Sequence, residues 1–493
     1  MAASQTPSLL RSKFFWVGIL YFAQGFPAGV FYEIFPVHFR SEGSSLTDIG
    51  FLSLLGLAWT LKFLWAPVIT HYRRHRRWMF VMDALMALQM AFFASAAGVG
   101  DWVWIAVGLF TVFSATNDIA IDGYTIEMLN KDEMGFANGL RIGFYRVGLL
   151  STGGLLMLQG QLGWSGVYAG AALLLVAAGF ACLQAPREKD YAPPDGMTLK
   201  EEIRAILASP FAFSAVVLFL LGTVWMANRT ADWSETYEDF WLVAAGIAAT
   251  LIILDLLAKV LRDKDDAAAV NLSQGPMFGA MLDMMKRPGM LLVLFFILTF
   301  KLADTSMGFM IKPFWVDAGF TPAQIGLVSV NIGIGLSVVG GLTGGWITDR
   351  IGIFHALWSL GLAQAFSNLG YAWVAGILPV GTDAVPGGSE QLIMYAASGI
   401  ESFTQGLGTA AFLAFLMAIV NKRRSATEYA LLSAIFILSR SVAGWAGGFG
   451  AEAMGYSDYF LLTFFLAFPA YLLLPWVKGM LNYAASRSDW DQT

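Results

Sequence analysis

Ionisable residues stand inside long apolar runs of this sequence: Glu33, Asp118, Asp122, Glu127, Lys301, Asp304 and Glu401. A charge at the centre of a bilayer costs at least ~2.5–3.5 kcal/mol on insertion scales, so each one asks for a partner, a cavity or a function. Asp118 and Asp122 are four residues apart and share one helix face, where two carboxylates in a low dielectric repel. That arrangement suits a proton carrier. It equally suits structural neutralisation by Arg141 or Arg146 of the next run, or a general acid/base pair of an intramembrane enzyme. The enzyme is the weakest of the three readings, because no nucleophile elbow or cofactor motif accompanies the acids. His71 and His75 are spaced four apart in a basic run without a third ligand, and the single cysteine, Cys182, can form neither a disulfide nor a CxxC pair. No metal and no cofactor is expected.

The elements that must carry these residues are membrane spans. Of the 493 residues 57% are hydrophobic and 13% charged, against about a quarter charged in soluble chains, and mean hydropathy is +0.63. A net charge of −5 with scattered basic clusters leaves no footprint for nucleic acid. Runs long enough for ~30 Å of hydrocarbon begin near Phe14, Ile49, Trp78, Trp102, Gly139 and Trp164, and again near Met290, Ile325, Phe354, Leu392, Tyr429 and Tyr459. Two more, from Phe211 and Phe240, lie between polar segments. The sequence therefore predicts an all-α polytopic membrane protein of 12 + 2 spans: a first six-helix half over 1–186, a linker over 187–288 holding a transmembrane hairpin at 211–260, and a second six-helix half over 289–493. In the hairpin, Asp255 and Lys259 form a favourably ordered structural pair.

Most Lys and Arg fall in loops that are cytoplasmic if the N-terminus is inside, so both termini are expected in the cytoplasm. Arg40, Arg229 and Lys312 then face outward. The halves also echo each other. Ile49-Gly50-x-x-Ser53 recurs as Ile325-Gly326-x-x-Ser329, each behind a helix-start pattern, Ser45-x-x-Asp48 and Thr321-x-x-Gln324. Tyr145-Arg146-x-Gly148 and Ser439-Arg440-x-x-x-Gly444 occupy similar places in spans five and eleven. Glu33, the span-four acids, Lys301, Asp304 and Glu401 all fall on first or fourth helices of a half. The glycine pairs Gly340/Gly344, Gly341/Gly345 and Gly444/Gly448 read as close helix packing. Trp59, Trp65, Trp315 and Trp346 can stack on sugar rings or sit at interfaces.

The chain resembles the AmpG muropeptide permease and acetyl-CoA transporter branch of the major facilitator superfamily. The stretches that carry the resemblance are Asp48-Ile-Gly-Phe-Leu-Ser-Leu-Leu-Gly56, Leu61-Lys-Phe-Leu-Trp-Ala-Pro67, Ser114-Ala-Thr-Asn-Asp-Ile-Ala-Ile-Asp122, Tyr145-Arg-Val-Gly148, Gly408-Thr-Ala-Ala-Phe412 and Ser425-Ala-Thr427 with Ala430-Leu-Leu-Ser433. The resemblance implies the major facilitator fold, two parallel six-helix halves rocking about a midplane site. It implies a proton-coupled importer of an anhydro-muropeptide or related sugar-peptide in the bacterial inner membrane, with an acyl-CoA or other organic-anion carrier as the alternative.

By the same resemblance Asp118 matches an acid essential for transport, and Asp122 and Glu401 fall on charged positions of the family; with the intramembrane acid Glu33, proton coupling is expected at Asp118, Asp122, Glu33 and Glu401. Substrate contacts are expected at Gln24, Lys62, Asn117 and Arg146 of the first half and at Lys301, Asp304, Gln405 and Arg440 of the second. Asp349 and Arg350 form a cytoplasmic latch, whereas Thr70-His71-Tyr72-Arg73 lacks the Asp-Arg expected after span two. The Tyr32-Glu33 pair departs from a muropeptide permease, and Gln24-Gly-Phe-Pro27 is at least as close to acetyl-CoA transporters. The partners expected are a small solute, protons and the bilayer, with the protein a monomer.

Overall fold

The computed structural model describes residues 12–187 and 284–487, apart from 63–64, 66–68, 70–73, 97–99, 101, 130–133, 382–383 and 421–424. The hairpin expected at 211–260, with Asp255 and Lys259, lies outside the described residues. Among the described residues the regular elements are all helices. The first set comprises α1 (Lys13–Ser41), α2 (Leu46–Thr60), α3 (His75–Ser95), α4 (Trp102–Met128), α5 (Met134–Met157) and α6 (Gln159–Gln184). The second comprises α7 (Met290–Asp317), α8 (Pro322–Ile351), α9 (Ile353–Ile377) and α10 (Gly388–Ala418), followed by the long helix Ser425–Leu466. Gly455, at φ 78°, divides that helix into α11 (425–454) and α12, which continues through Phe468–Leu472 and Leu474–Ser486. Gly163, at φ 66°, makes the matching corner within the first turns of α6. Both corners need a conformation that only glycine takes without strain.

Among the described residues seven helices are long and apolar enough to cross a membrane, eight when Ile435–Leu472 and Leu474–Ser486, bent by 48°, are one span. Large apolar side chains such as Leu88, Ile105, Leu173, Leu342 and Trp373 point outward. In water such a surface would be a liability; against lipid tails it is the required one.

The sequence repeat is a structural repeat. Ser45 and Asp48 cap α2 reciprocally at 3.0 and 3.2 Å, and Thr321 and Gln324 cap α8 at 3.3 and 2.9 Å. Each capped helix then crosses the other set at its glycine. A β-carbon on Gly50 would stand 2.9 Å from the Gly448 Cα of α11, and one on Gly326 would stand 2.5 Å from the Gly153 carbonyl of α5. The glycines therefore allow backbone-to-backbone approach at two pseudo-equivalent crossings. Gly340 and Gly344 do the same between α8 and α10, where a β-carbon on Gly344 would stand 2.8 Å from Leu407 Cα.

Two helices are irregular where they carry charge. Val30–Ile34 of α1 is a π-helical turn containing Tyr32 and Glu33, and α7 is interrupted at Lys301, whose φ of −99° and ψ of 5° are not helical. Such interruptions are common at functional positions because they redirect side chains and free backbone groups. The two sets of helices cluster as one unit; a second unit, residues 190–291 with 426–428, contains the buried ion pair Arg287–Glu428 at 2.5 Å.

Candidate functional site

In the first set the acids of α4 meet a lysine just past the end of α2. Lys62 Nζ lies 3.5 Å from Asp118 Oδ2 and 3.8 Å from Asp122 Oδ2. Asp118 is buried, with Gln24 of α1 beside it. Asp122 is more open and better provided. Arg141 Nη2 stands 3.2 Å from its Oδ1, and the Tyr21 hydroxyl donates to the same oxygen at 2.7 Å, with the Arg141 guanidinium 4.5 Å over the Tyr21 ring. The helix spacing thus puts two carboxylates around one lysine, and Arg141 compensates the outer one. One negative charge can be discharged by a proton without leaving Lys62 unpartnered.

Arg146, the other cation expected to neutralise these acids, reaches across instead. Its Nη1 donates to Ser337 Oγ of α8 at 3.2 Å. Arg440 of α11 lies 4.1 Å over the Tyr32 ring and 5.8 Å from that of Phe309, and Trp59 stacks on Tyr32 with ring centroids 5.9 Å apart. Tyr145 has Asp118, Tyr32, Arg440 and Arg146 all as electrostatic neighbours. Among the described residues neither arginine forms an ion pair with a carboxylate. Two guanidinium groups, one from each set, therefore share Tyr145 as a neighbour with donors to spare, and that of Arg440 lies on an aromatic wall. A planar fork of this kind suits a carboxylate or phosphate oxygen pair.

The charges of the second set are folded inward. Lys301 is 1% exposed and donates to Gln364 Oε1 at 2.7 Å and Thr409 Oγ1 at 3.0 Å, with Asp304 Oδ2 3.6 Å away. Glu401 is buried and accepts from Ser402 Oγ at 3.3 Å. Gln405, one turn further along α10, is half-buried. Glu33 pairs with Lys312 Nζ at 2.8 Å across the two sets, and Lys312 also donates to Ser329 Oγ at 2.7 Å. Lys312 thus faces Glu33 and is itself buried.

Beyond this pair the sets are clasped at the end where α1 and α7 finish. Arg40 Nε and Nη2 donate to the two oxygens of Asp317 at 2.7 and 2.6 Å, and the Tyr456 hydroxyl donates to Asp317 Oδ2 at 2.6 Å. Thr47 and Glu452 add a further bond there. At the opposite end of α8, Asp349 and Arg350 are exposed, and the Arg350 guanidinium lies 4.1 Å over Trp346 of its own helix. Of the other tryptophans, Trp315 is core and Trp65 donates to Thr116.

Asn117 turns away from the arginines and donates to Asp83 of α3. Asp83 escaped the reading of the sequence, although it too stands in an apolar run. His75, expected in a basic loop, is instead the buried first residue of α3, 3.6 Å from Glu127.

A model of the Major Facilitator Superfamily matches residues 17–240. Among solved structures the chain is similar to a POT family transporter, PepTSo, at a TM-score of 0.65 and 12% identity over 97% of this chain and 99% of that one. It is also similar to the nucleoside transporter NupG, at 0.56 and 12% over 95% and 100%. Twelve helices among the described residues, in two glycine-crossed sets with charges gathered between them, form the major facilitator fold, and the chain is a multi-pass membrane transport protein rather than an enzyme. It is AmpG-like: 28% of residues are identical over 94% of the chain and 79% of the anhydromuropeptide permease of Escherichia coli K12, and the same holds for that of E. coli O157:H7.

Proposed function

We propose that the protein is a proton-coupled importer of an anionic sugar-peptide of the anhydro-muropeptide type, in the bacterial inner membrane with both termini cytoplasmic. The single observation that carries this reading is the pair Arg146 and Arg440, each without a carboxylate partner among the described residues and both neighbours of Tyr145, with Arg440 lying on the Tyr32, Trp59 and Phe309 cluster. A peptide carboxylate fits the guanidinium donors, and sugar rings fit aromatic faces. Gln24 and Gln405 supply neutral hydrogen bonding. Lys62 and Lys301 already have carboxylates of their own, which favours a solute with few charges over a CoA ester with its several phosphates.

Proton coupling is assigned to Asp118, with Asp122 holding Lys62 when Asp118 is neutral. Glu33 and Glu401 are secondary sites, Glu33 through its pair with Lys312. In the proposed orientation the Arg40–Asp317 clasp closes the external side. Asp349 and Arg350, exposed here, form a latch for the opposite access state. The helices over 1–186 and 289–493 then act as the two rocking bodies.

Uptake into proteoliposomes under an imposed pH gradient tests the reading. Labelled anhydro-muropeptide should accumulate, and amidation of its peptide carboxylates should abolish competition. Accumulation of CoA esters without competition by the sugar-peptide would replace it with the organic-anion carrier.

A further inference from the structure

Asp83 of α3 is fully buried and is enclosed by α4 and α6. From α4, Asn117 Nδ2 donates to its Oδ1 at 2.8 Å. From α6, Gly179 leaves room for it: a β-carbon there would stand 3.0 Å from Asp83 Cβ. Cys182 of the same helix is the other titratable side chain facing it, and among the described residues no lysine, arginine or histidine lies within ion-pair distance. A carboxylate so placed would keep its charge away from water with one hydrogen bond and no counter-charge, which is among the least favourable arrangements a protein interior can hold.

Two further atoms are left over, and they resolve the problem together. Asp83 Oδ2 and Asn117 Oδ1 are both buried without a hydrogen-bond partner. Both are acceptors if Asp83 is ionised, so neither can satisfy the other. A proton on Oδ2 makes it a donor, and Asn117 Oδ1 is the acceptor available on the same partner. We propose that Asp83 is a proton-binding site, a neutral carboxylic acid held in a reciprocal acid–amide pair with Asn117 and keeping its proton throughout transport. The pair clasps α3 to α4 one residue from Asp118, so Asp83 is a positioning residue for the helix that carries the coupling acid. It is distinct from the proton exchanged at Asp118 and stands whether or not the solute is a sugar-peptide. A bound sodium ion is the competing occupant of two spare oxygens, but it demands several more oxygen ligands than the two seen here.

Infrared spectroscopy of the full-length protein in lipid reads the protonation directly. The expected result is a carboxylic C=O band that persists from mildly acidic to mildly alkaline buffer, is unaffected by sodium, and is missing in Asp83→Asn. That variant imitates the neutral acid and should retain its melting temperature and gradient-driven uptake. Should Asp83→Asn not fold, Asn117→Ser assigns the band by shifting its frequency. The proposal is overturned if the band is absent or titrates across this range, or if sodium raises the melting temperature of wild type but not of Asp83→Asn. It is also overturned if a folded Asp83→Asn protein keeps counterflow but loses pH-driven accumulation, because the proton at Asp83 would then be a transported one.

Discussion

Arg40, at the end of α1, grips both carboxylate oxygens of Asp317, at the end of α7, so the first helices of the two sets are tied by a two-pronged ion pair with Tyr456 as a third donor. Side-chain exposures of 22% and 13% put the pair between a solvated surface bridge and a fully buried one. Hydrogen bonds to charged groups at such sites are worth about 1.5–3 kcal/mol. Breaking them should enlarge the population open at this end by roughly ten- to a hundredfold. Spin labels at Glu42→Cys and Val385→Cys, on the two sides of the clasp, should report longer distances in Arg40→Ala and Asp317→Asn. The exchange Arg40→Asp with Asp317→Arg should restore the short distance. An unchanged distribution in all three would remove the clasp as a gate.

Asp118→Asn imitates a protonated Asp118 and leaves Lys62 with Asp122 at 3.8 Å. Because no cation is stranded, stability should fall by no more than about 1 kcal/mol, far below the ~3–5 kcal/mol of a broken buried pair. Uptake driven by a pH gradient should be lost while counterflow survives. The double variant Asp118→Asn with Asp122→Asn strands Lys62 and should lower the melting temperature sharply. A stable Asp118→Asn protein with normal gradient-driven uptake moves the coupling to Glu33 or Glu401.

Arg440→Ala removes the guanidinium stacked on Tyr32 and Phe309, and Arg146→Ala removes its counterpart from the first set. A charge-assisted hydrogen bond of about 1.5–3 kcal/mol corresponds to a ten- to hundredfold rise in the KM of an anionic solute. Arg440→Lys should recover little, since an ammonium loses both the planar fork and the stacking. Competition by a carboxylate-amidated analogue should be equally weak in wild type and variants. Equal affinity of Arg440→Ala and wild type for the carboxylate form would show that the arginine holds helices, not solute.

At the glycine crossings, overpacking has a predictable sign. Gly326→Leu forces a side chain against the Gly153 carbonyl and Leu156, and Gly50→Leu forces one against Gly448 and the Trp445 carbonyl. Each should destabilise by at least ~1–3 kcal/mol, read as a lower melting temperature in detergent. Gly335→Ala, on the same α8 with open space around its Cα, should be neutral. A neutral result at Gly326 would mean that the crossing is not as close as the contacts indicate.

The sequence by itself determined the class, the repeat and, among the described residues, the apolar runs that form the helices. Charge at the bilayer centre and the length of hydrocarbon are properties of the chain's immediate surroundings, so composition and run length expose them without a fold. Capping is local too, which is why Ser45/Asp48 and Thr321/Gln324 were legible as helix starts from a four-residue pattern. The partners were not legible, because they come from segments distant in the chain. Asp118 could be assigned to Arg146 on spacing alone, yet only packing decided that Lys62 takes it and that Arg146 turns to Ser337. Lys301, an expected cavity cation, is satisfied by Gln364 and Thr409, while Arg440 lies over the rings of Tyr32 and Phe309 with no carboxylate partner among the described residues. Asn117 points to Asp83 and not to solute for the same reason: a helix offers several faces, and the neighbour that fills each is chosen by tertiary packing.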